Sequence, residues 1–125
     1  MTTPDELGAL LATMPFALGV GVELLAAAPE RCTIAGALHG GALMTLADSV
    51  GAVCAYLNLP LGAGTTTVES GTHFLRAVRA GSVTAVSRPL HAGRTLVVVQ
   101  TDLLDDDGRR VAQVTQSQAV LPGRE

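Results

Sequence analysis

The chain has no tryptophan and no lysine, two cysteines, and three aromatic residues: Phe16, Tyr56 and Phe74. Each shortage excludes something. Eight arginines and a net charge of −3 provide no basic surface for non-specific nucleic-acid binding. Cys32 and Cys54 have neither zinc-type nor C-x-x-C spacing, so free thiols in a reducing compartment are expected. His73 and His91 suggest no metal set, because a zinc site needs three or four converging ligands. No basic lead, short apolar run and cleavage site occur together, and no run of about 20 uncharged apolar residues is present. A cytoplasmic protein without membrane attachment is expected. So few aromatics leave no clear stacking site for an aryl acid.

Charge is scarce as well. Charged residues make up 15% of the chain and hydrophobic ones 48%, too apolar for disorder and too sparsely charged for a typical monomer surface. Apolar area is therefore expected between subunits. A length of 125 residues suits one domain, 1–125, with a single core.

One stretch stands out against this background. Residues 37–56 are mostly apolar and are entered through His39-Gly40-Gly41. Leu43, Met44, Leu46, Ala47, Val50, Val53, Cys54 and Leu57 recur at helical spacing and cover more than half the circumference, which predicts a central helix over about 41–57, buried on most sides. Asp48 sits in its middle and is the one charged residue between Arg31 and Glu69. A carboxylate on such a helix is neutral, paired or working.

Around it the pattern is coarser. Thr3-Pro4-Asp5-Glu6 reads as a helix start, with a short helix over about 4–14 ended by Pro15. Residues 20–28 read as a strand, and 31–35 as a shorter one. After Gly64 the period changes to two. Strands are predicted over 65–75, 82–89, 95–104 and 109–121, with Pro89 at an edge, bulge or strand end. Asp107-Gly108 marks a hairpin, and residues 91–94 a turn. Four antiparallel strands in meander-like order would curve around the helix, giving an α+β fold. The outer sheet face, which also carries Val and Leu, would meet a second copy.

Three groups could carry chemistry. Asp48 in an apolar groove suits a general base or nucleophile, or else a capping or interface carboxylate. Gly40 and Gly41 at a helix start let the backbone approach a ligand, and the free N–H groups there can hold an oxyanion. His39 either caps this start or orients a substrate. His39 and Asp48 are nine residues apart, about 13 Å of helix rise, so they would not touch within one subunit; they could line one groove, or Asp48 could meet His39 and Gly40 of a partner chain across a dimer axis. In the run Thr65-Thr66-Thr67, one hydroxyl is a candidate to hold water or orient Asp48. Arg79, Arg88 and Arg94 near the loops are candidates to grip phosphates, against a plain reading as solvated charges.

These residues resemble a known family. Residues 36–41, Gly-Ala-Leu-His-Gly-Gly, followed by Leu46-Ala47-Asp48, are similar to the signature of the hotdog-fold acyl-CoA thioesterases, in the PaaI-like and 4-hydroxybenzoyl-CoA thioesterase branch. The likeness extends to Phe74-Leu75-Arg76-Ala77 with Gly81, to residues 91–94, and to Asp107-Gly108 with Val111-Ala112, about 15–121 in all. It implies a hotdog fold, a curved antiparallel sheet around a long central helix, in homodimers that pair into homotetramers. It implies hydrolysis of acyl-CoA thioesters without metal or organic cofactor. On this resemblance the Gly40 N–H polarises the thioester carbonyl, and Asp48 serves a thioester bound at the opposite subunit's helix start. His39 orients the thioester or its sulfur, Thr67 positions water, and Arg94 and its neighbours lie near the nucleotide of CoA. Many members have Asn six residues before the His; Thr33 stands there, with a shorter reach.

General-base attack by water is the favoured route, with a mixed anhydride on Asp48 as its alternative. A hotdog-fold enoyl-CoA hydratase or dehydratase, or a non-catalytic acyl-CoA-binding protein, are the competing functions.

Overall fold

The computed structural model describes residues 25–26 and 36–123. The predicted helix over 4–14, most of the strand over 20–28, Cys32 and Thr33 lie outside the described residues. The elements are β1 (Leu25–Ala26), α1 (Gly40–Tyr56), β2 (Gly64–Phe74), β3 (Ser82–Ala92), β4 (Leu96–Leu104) and β5 (Arg110–Leu121).

Helix α1 starts and stops where local chemistry dictates. His39 is the N-cap, with extended backbone (φ −64°, ψ 134°), and its Nδ1 accepts from the Gly41 N–H at 2.8 Å. At the far end Asn58 Nδ2 donates to the Cys54 carbonyl at 2.8 Å. Pro60 and Gly62, the latter at φ 80°, then turn the chain into β2.

The five strands form one antiparallel sheet in the order β1-β3-β4-β5-β2. Only β3, β4 and β5 run as a meander; β2 lies beyond β5 rather than beside β3, which corrects the expected order. Residues 75–81 make the crossover. Seven residues can reach about 23 Å, more than the roughly 14 Å from β2 to β3 across two intervening strands. The connection is pinned beneath the helix start, where the Leu38 N–H donates to the Val78 carbonyl at 2.7 Å and both side chains are buried. A tight hairpin forms instead at residues 105–108. There Asp105 Oδ1 accepts from the Asp107 and Arg109 N–H groups, and Gly108 takes φ 79°. The Arg109 backbone N–H is the main reason the Asp105 carboxyl is held below the ordinary carboxylate range.

Strand β3 also runs further than expected. It passes through Pro89 to Ala92, so His91 and Ala92 belong to the strand and not to the turn. The ladder slips between Pro89 and His91, and this bulge accommodates a residue that has no N–H to donate. A second slip, between Thr67 and Glu69, leaves Val68 unpaired on β2.

The core lies between α1 and the inner sheet face. Leu43, Leu46 and Ala47 pack with Val83, Leu103, Val111 and Val114; further along, Ala55 packs with Val97 and Val99. Small residues at 47, 51 and 55, one turn apart, bring the helix backbone close to the sheet. Burying a side chain such as Leu46 contributes about 1.5–3 kcal/mol. The helix is not covered all round, however. Met44 (44% exposed), Asp48 and Tyr56 form an open stripe at spacings of four and eight, and Leu57 is exposed too. The apolar spacing counted Met44 and Leu57 as wrapped; the sheet reaches only one side.

The outer sheet face carries Val86 and Leu96, in line with the expected apolar residues, but also a charged group at its centre. Asp102 is ion-paired to Arg88 at 3.2 Å and to Arg110 at 3.1 Å, and accepts from Gln113 Nε2 at 3.0 Å. Burial pushes its carboxyl up, but the Gln113 and Arg88 hydrogen bonds and the Arg110 and Arg88 charges outweigh this and hold it below the ordinary range.

Candidate active site

The start of α1 is built around a free amide. The first four N–H groups of a helix have no partner within it. Here the Gly41 N–H goes to His39 Nδ1, and the Ala42 and Leu43 N–H groups go to the His39 carbonyl at 2.9 and 3.2 Å. The Gly40 N–H has no acceptor among the described residues. It sits at the positive end of a 17-residue helix, where a developing negative charge is stabilised. Because His39 Nδ1 accepts, the neutral imidazole carries its proton on Nε2 and presents it outward. His39 is thus the N-cap of α1, and its other ring nitrogen is free of that bond.

Beside this amide runs a groove of about 360 Å³, lined by Ala37, Leu38, Gly40, Leu43 and residues 74–77. Its walls are mostly apolar, with Arg76 at the rim. The Phe74 ring lies over Gly40: a Cβ on Gly40 would sit 3.1 Å from the ring carbon Cζ. Phe74 is 52% exposed, so this ring edge faces the groove's contents as well as the helix. The sequence offered no clear stacking site for an aryl group; the fold places the ring of β2's last residue beside the Gly40 amide.

Asp48 lies eight residues further along α1, about 12 Å in rise from Gly40. It is exposed on this chain, not sunk in an apolar groove as expected. Its Oδ1 accepts from Gln116 Nε2 at 2.8 Å. Its Oδ2 has no hydrogen-bond partner among the described residues. Gln116 is itself fully buried on β5, pointing up from the sheet beneath the helix. Two residues on, Gln118 is also buried on the same strand face and donates to Thr67 Oγ1 at 2.8 Å. That bond occupies an acceptor site of the Thr67 hydroxyl and leaves its proton free to donate elsewhere. Asp48 and Thr67 are therefore both held from β5, by amides on neighbouring inner-face positions.

The remaining candidates scatter. Thr66 and Arg94 are exposed, on β2 and in the β3–β4 turn. Arg88 is engaged on the outer face with Asp102 and Gln100, away from α1, so its side chain is committed to the sheet. Arg79 lines a second groove of about 390 Å³ together with Arg109 and the aspartates 105, 106 and 107. Three carboxylates against two guanidiniums make that groove a poor cradle for phosphate. Among the described residues no cluster of three His, Cys, Asp or Glu could hold a metal, and no helix is long and apolar enough to cross a membrane.

Sequence reasoning missed Gln116, Gln118, Gly51 and Phe74. A signal was present for the glutamines. The polar run at 115–118 interrupts a strand that is otherwise apolar on its inner face, and amides at alternate positions there must find partners.

Comparison with known proteins places the chain in a family. A 1,4-dihydroxy-2-naphthoyl-CoA hydrolase of Escherichia coli is 35% identical over 86 residues, 69% of this chain; the match spans 63% of the hydrolase's own length. The structure of thioesterase PA1618 from Pseudomonas aeruginosa superposes with a TM-score of 0.85 at 32% identity, covering 97% of this chain and 96% of that one. A thioesterase-like protein from Streptococcus pneumoniae solved with coenzyme A superposes at 0.72 and 26% identity, over 82% of this chain and 78% of that one. Residues 35–112 match the thioesterase superfamily. These residues run from the approach to the capped helix start through the groove and into the strand that carries Gln116, and the chain is a member of the thioesterase superfamily with the hotdog fold.

Proposed function

We propose that the protein is an acyl-CoA thioesterase that works as a homodimer, with each site built from the helix start of one subunit and Asp48 of the other. The observation that carries this reading is the Gly40 N–H at the positive end of α1, without an acceptor among the described residues and opening on an apolar groove. The thioester carbonyl accepts from this N–H, and His39 Nε2 orients the thioester or its sulfur. Asp48 Oδ2 takes a proton from water as the water oxygen attacks the carbonyl carbon. The negative charge gathers on the carbonyl oxygen, where the Gly40 N–H and the helix dipole stabilise it. The carbon–sulfur bond then breaks, and the thiolate of CoA regains the proton from Asp48. The products are a free acid and CoA. No step calls for a metal or organic cofactor.

The second subunit follows from distance. Gly40 and Asp48 of one chain are about 12 Å apart along the helix, too far to act on one carbonyl. The exposed stripe of Met44, Asp48 and Tyr56, and the free edge of β2 with Val68 60% exposed, offer apolar and backbone surface for a two-fold partner. Pairing of dimers into a tetramer and a cytoplasmic location belong to the same reading. Thr67, Thr66, Gly41, Thr33 and Arg94 complete the proposed site; Arg79 and Arg88 are its weakest members, for the charge environments described above.

The test is thiol release from aryl-, short-chain and medium-chain acyl-CoA by wild type and Asp48→Asn. Release by the wild type and its loss in the variant support the reading. Equal rates remove Asp48 from the mechanism. Water addition to an enoyl-CoA without thiol release would replace hydrolysis by hydration.

A further inference from the structure

We propose that Gln116 is a positioning residue that sets the attitude of the Asp48 carboxylate, and that Gly51 exists in mid-helix to admit it. The proposal rests on the reading of Asp48 as the general base. Gln116 is fully buried on the inner face of β5. Its Nε2 donates to Asp48 Oδ1 at 2.8 Å, bridging sheet and helix between residues far apart in sequence. Its Oε1 is buried with no partner among the described residues.

Packing alone gives no reason for an amide here. The neighbours are Val99, directly opposite on β4, and the α1 backbone at Gly51. A leucine would fill the same space and would leave no orphaned carbonyl oxygen, which a buried amide does. The slot also imposes a glycine. A Cβ at residue 51 would overlap Oε1 and sit 3.1 Å from Cδ of Gln116. Glycine in a helix interior is unfavourable relative to alanine. The fold thus carries two unfavourable choices, an unsatisfied oxygen and an interior glycine, and both make sense only through the third atom of the set, the Nε2 that holds Asp48.

The consequence is geometric. Asp48 is exposed, and an exposed Asp side chain samples several rotamers. A single donor fixed from below ties Oδ1 to the sheet and leaves Oδ2 turned outward, where water or the thioester is to be met. A side chain held in one attitude raises the fraction of encounters that are productive, which appears in kcat rather than in KM.

The experiment compares Gln116→Leu, Asp48→Asn and the double variant with wild type, by steady-state thiol release and thermal unfolding. Gln116→Leu is expected to lower kcat about tenfold or more with KM within about twofold, while Tm stays equal or rises. The double variant is expected to be no slower than Asp48→Asn alone, because Gln116 acts only through Asp48. Gly51→Ala, which displaces the amide while keeping Gln116 in the chain, is expected to lower kcat in the same way. Should Gln116→Leu fail to fold, Gln116→Met carries the same comparison. Wild-type kcat in Gln116→Leu, with Asp48→Asn inactive, overturns the proposal and leaves the thioesterase mechanism standing. A loss of kcat that comes with a large fall in Tm would make Gln116 a core residue and overturn it as well. Wild-type kcat in Asp48→Asn instead removes the mechanism beneath both.

Discussion

Two carboxylates of this chain meet the sheet from opposite sides, and they are treated in opposite ways. Asp102, on the outer face, is saturated: Arg88, Arg110 and Gln113 all donate to it, and both oxygens are occupied. Asp48, on the helix side, has one donor among the described residues, Gln116, on one oxygen. Asp102 is nearly covered, whereas Asp48 is exposed. The saturated group is held below the ordinary carboxylate range and has no lone pair to spare, so it serves the fold. The other is steadied on one oxygen and left open, which suits the proton exchange proposed for it. On the proposed mechanism, the number of donors on the two oxygens marks Asp102 as the structural carboxylate and Asp48 as the base.

This contrast can be broken experimentally. The largest effect is expected at Asp48: Asp48→Asn should lower kcat by about 10²–10⁴ with little change in Tm, while Asp102→Asn should leave kcat within about threefold. Thiol-release assays on the two proteins make the comparison. Reversed roles would show that donor count misleads.

Next comes Gly40. It is the first residue of α1, where proline is favoured, and His39 before it has the extended backbone that proline demands. Gly40→Pro therefore removes the N–H that lacks an acceptor among the described residues and keeps the helix. It is expected to lower kcat by about 10²–10³, with the helical circular-dichroism signal unchanged. Gly40→Ala keeps the N–H and only pushes on the exposed Phe74 ring, so it should retain most of the activity. Equal losses in the two would mean that space beside Phe74, rather than the N–H, is what matters.

The smaller effects concern stability. Asp102→Asn should cost about 1 kcal/mol, because its arginine partners are about half exposed and share their charges with water. That is about 4 °C in Tm for a chain of this size. The cost should depend on pH. A carboxyl held below its ordinary value contributes fully above that value and loses its contribution as pH falls through the lower, folded one. The Tm gap between wild type and Asp102→Asn is thus expected to be full near pH 7 and to close as the pH falls below the ordinary carboxylate range. A gap that widened in acid would contradict the assignment.

Much of this was legible in the sequence because it is local. The helix showed through its period, its His-Gly-Gly entry and its exit at residues 58–62. Strands β2 to β5 showed through alternation and the Asp-Gly hairpin, and Asp48 through its isolation among uncharged residues. What stayed hidden depends on pairing at long range. Nothing local places β2 beyond β5, since crossover and hairpin differ only in what residues 75–81 pack against. Period counting gives the width of an apolar stripe but not how far a sheet wraps it, so Met44 and Asp48 were expected to be covered. Arg88 looks like a free cation until Asp102 is brought to the next strand. Gln116 reaches Asp48 across 68 residues of sequence, and Gly51 looks like an ordinary weak point in a helix until that amide is in place.

The central claim is that each site takes its amide from one subunit and its carboxylate from the other. Co-expression of Gly40→Pro with Asp48→Asn tests it directly. Each variant alone should be nearly inactive. In a mixed dimer one site keeps both an intact Gly40 and an intact Asp48, while the other loses both. Random pairing should therefore restore about one quarter of wild-type kcat per subunit. Thiol release no greater than the sum of the two variants alone would contradict the claim.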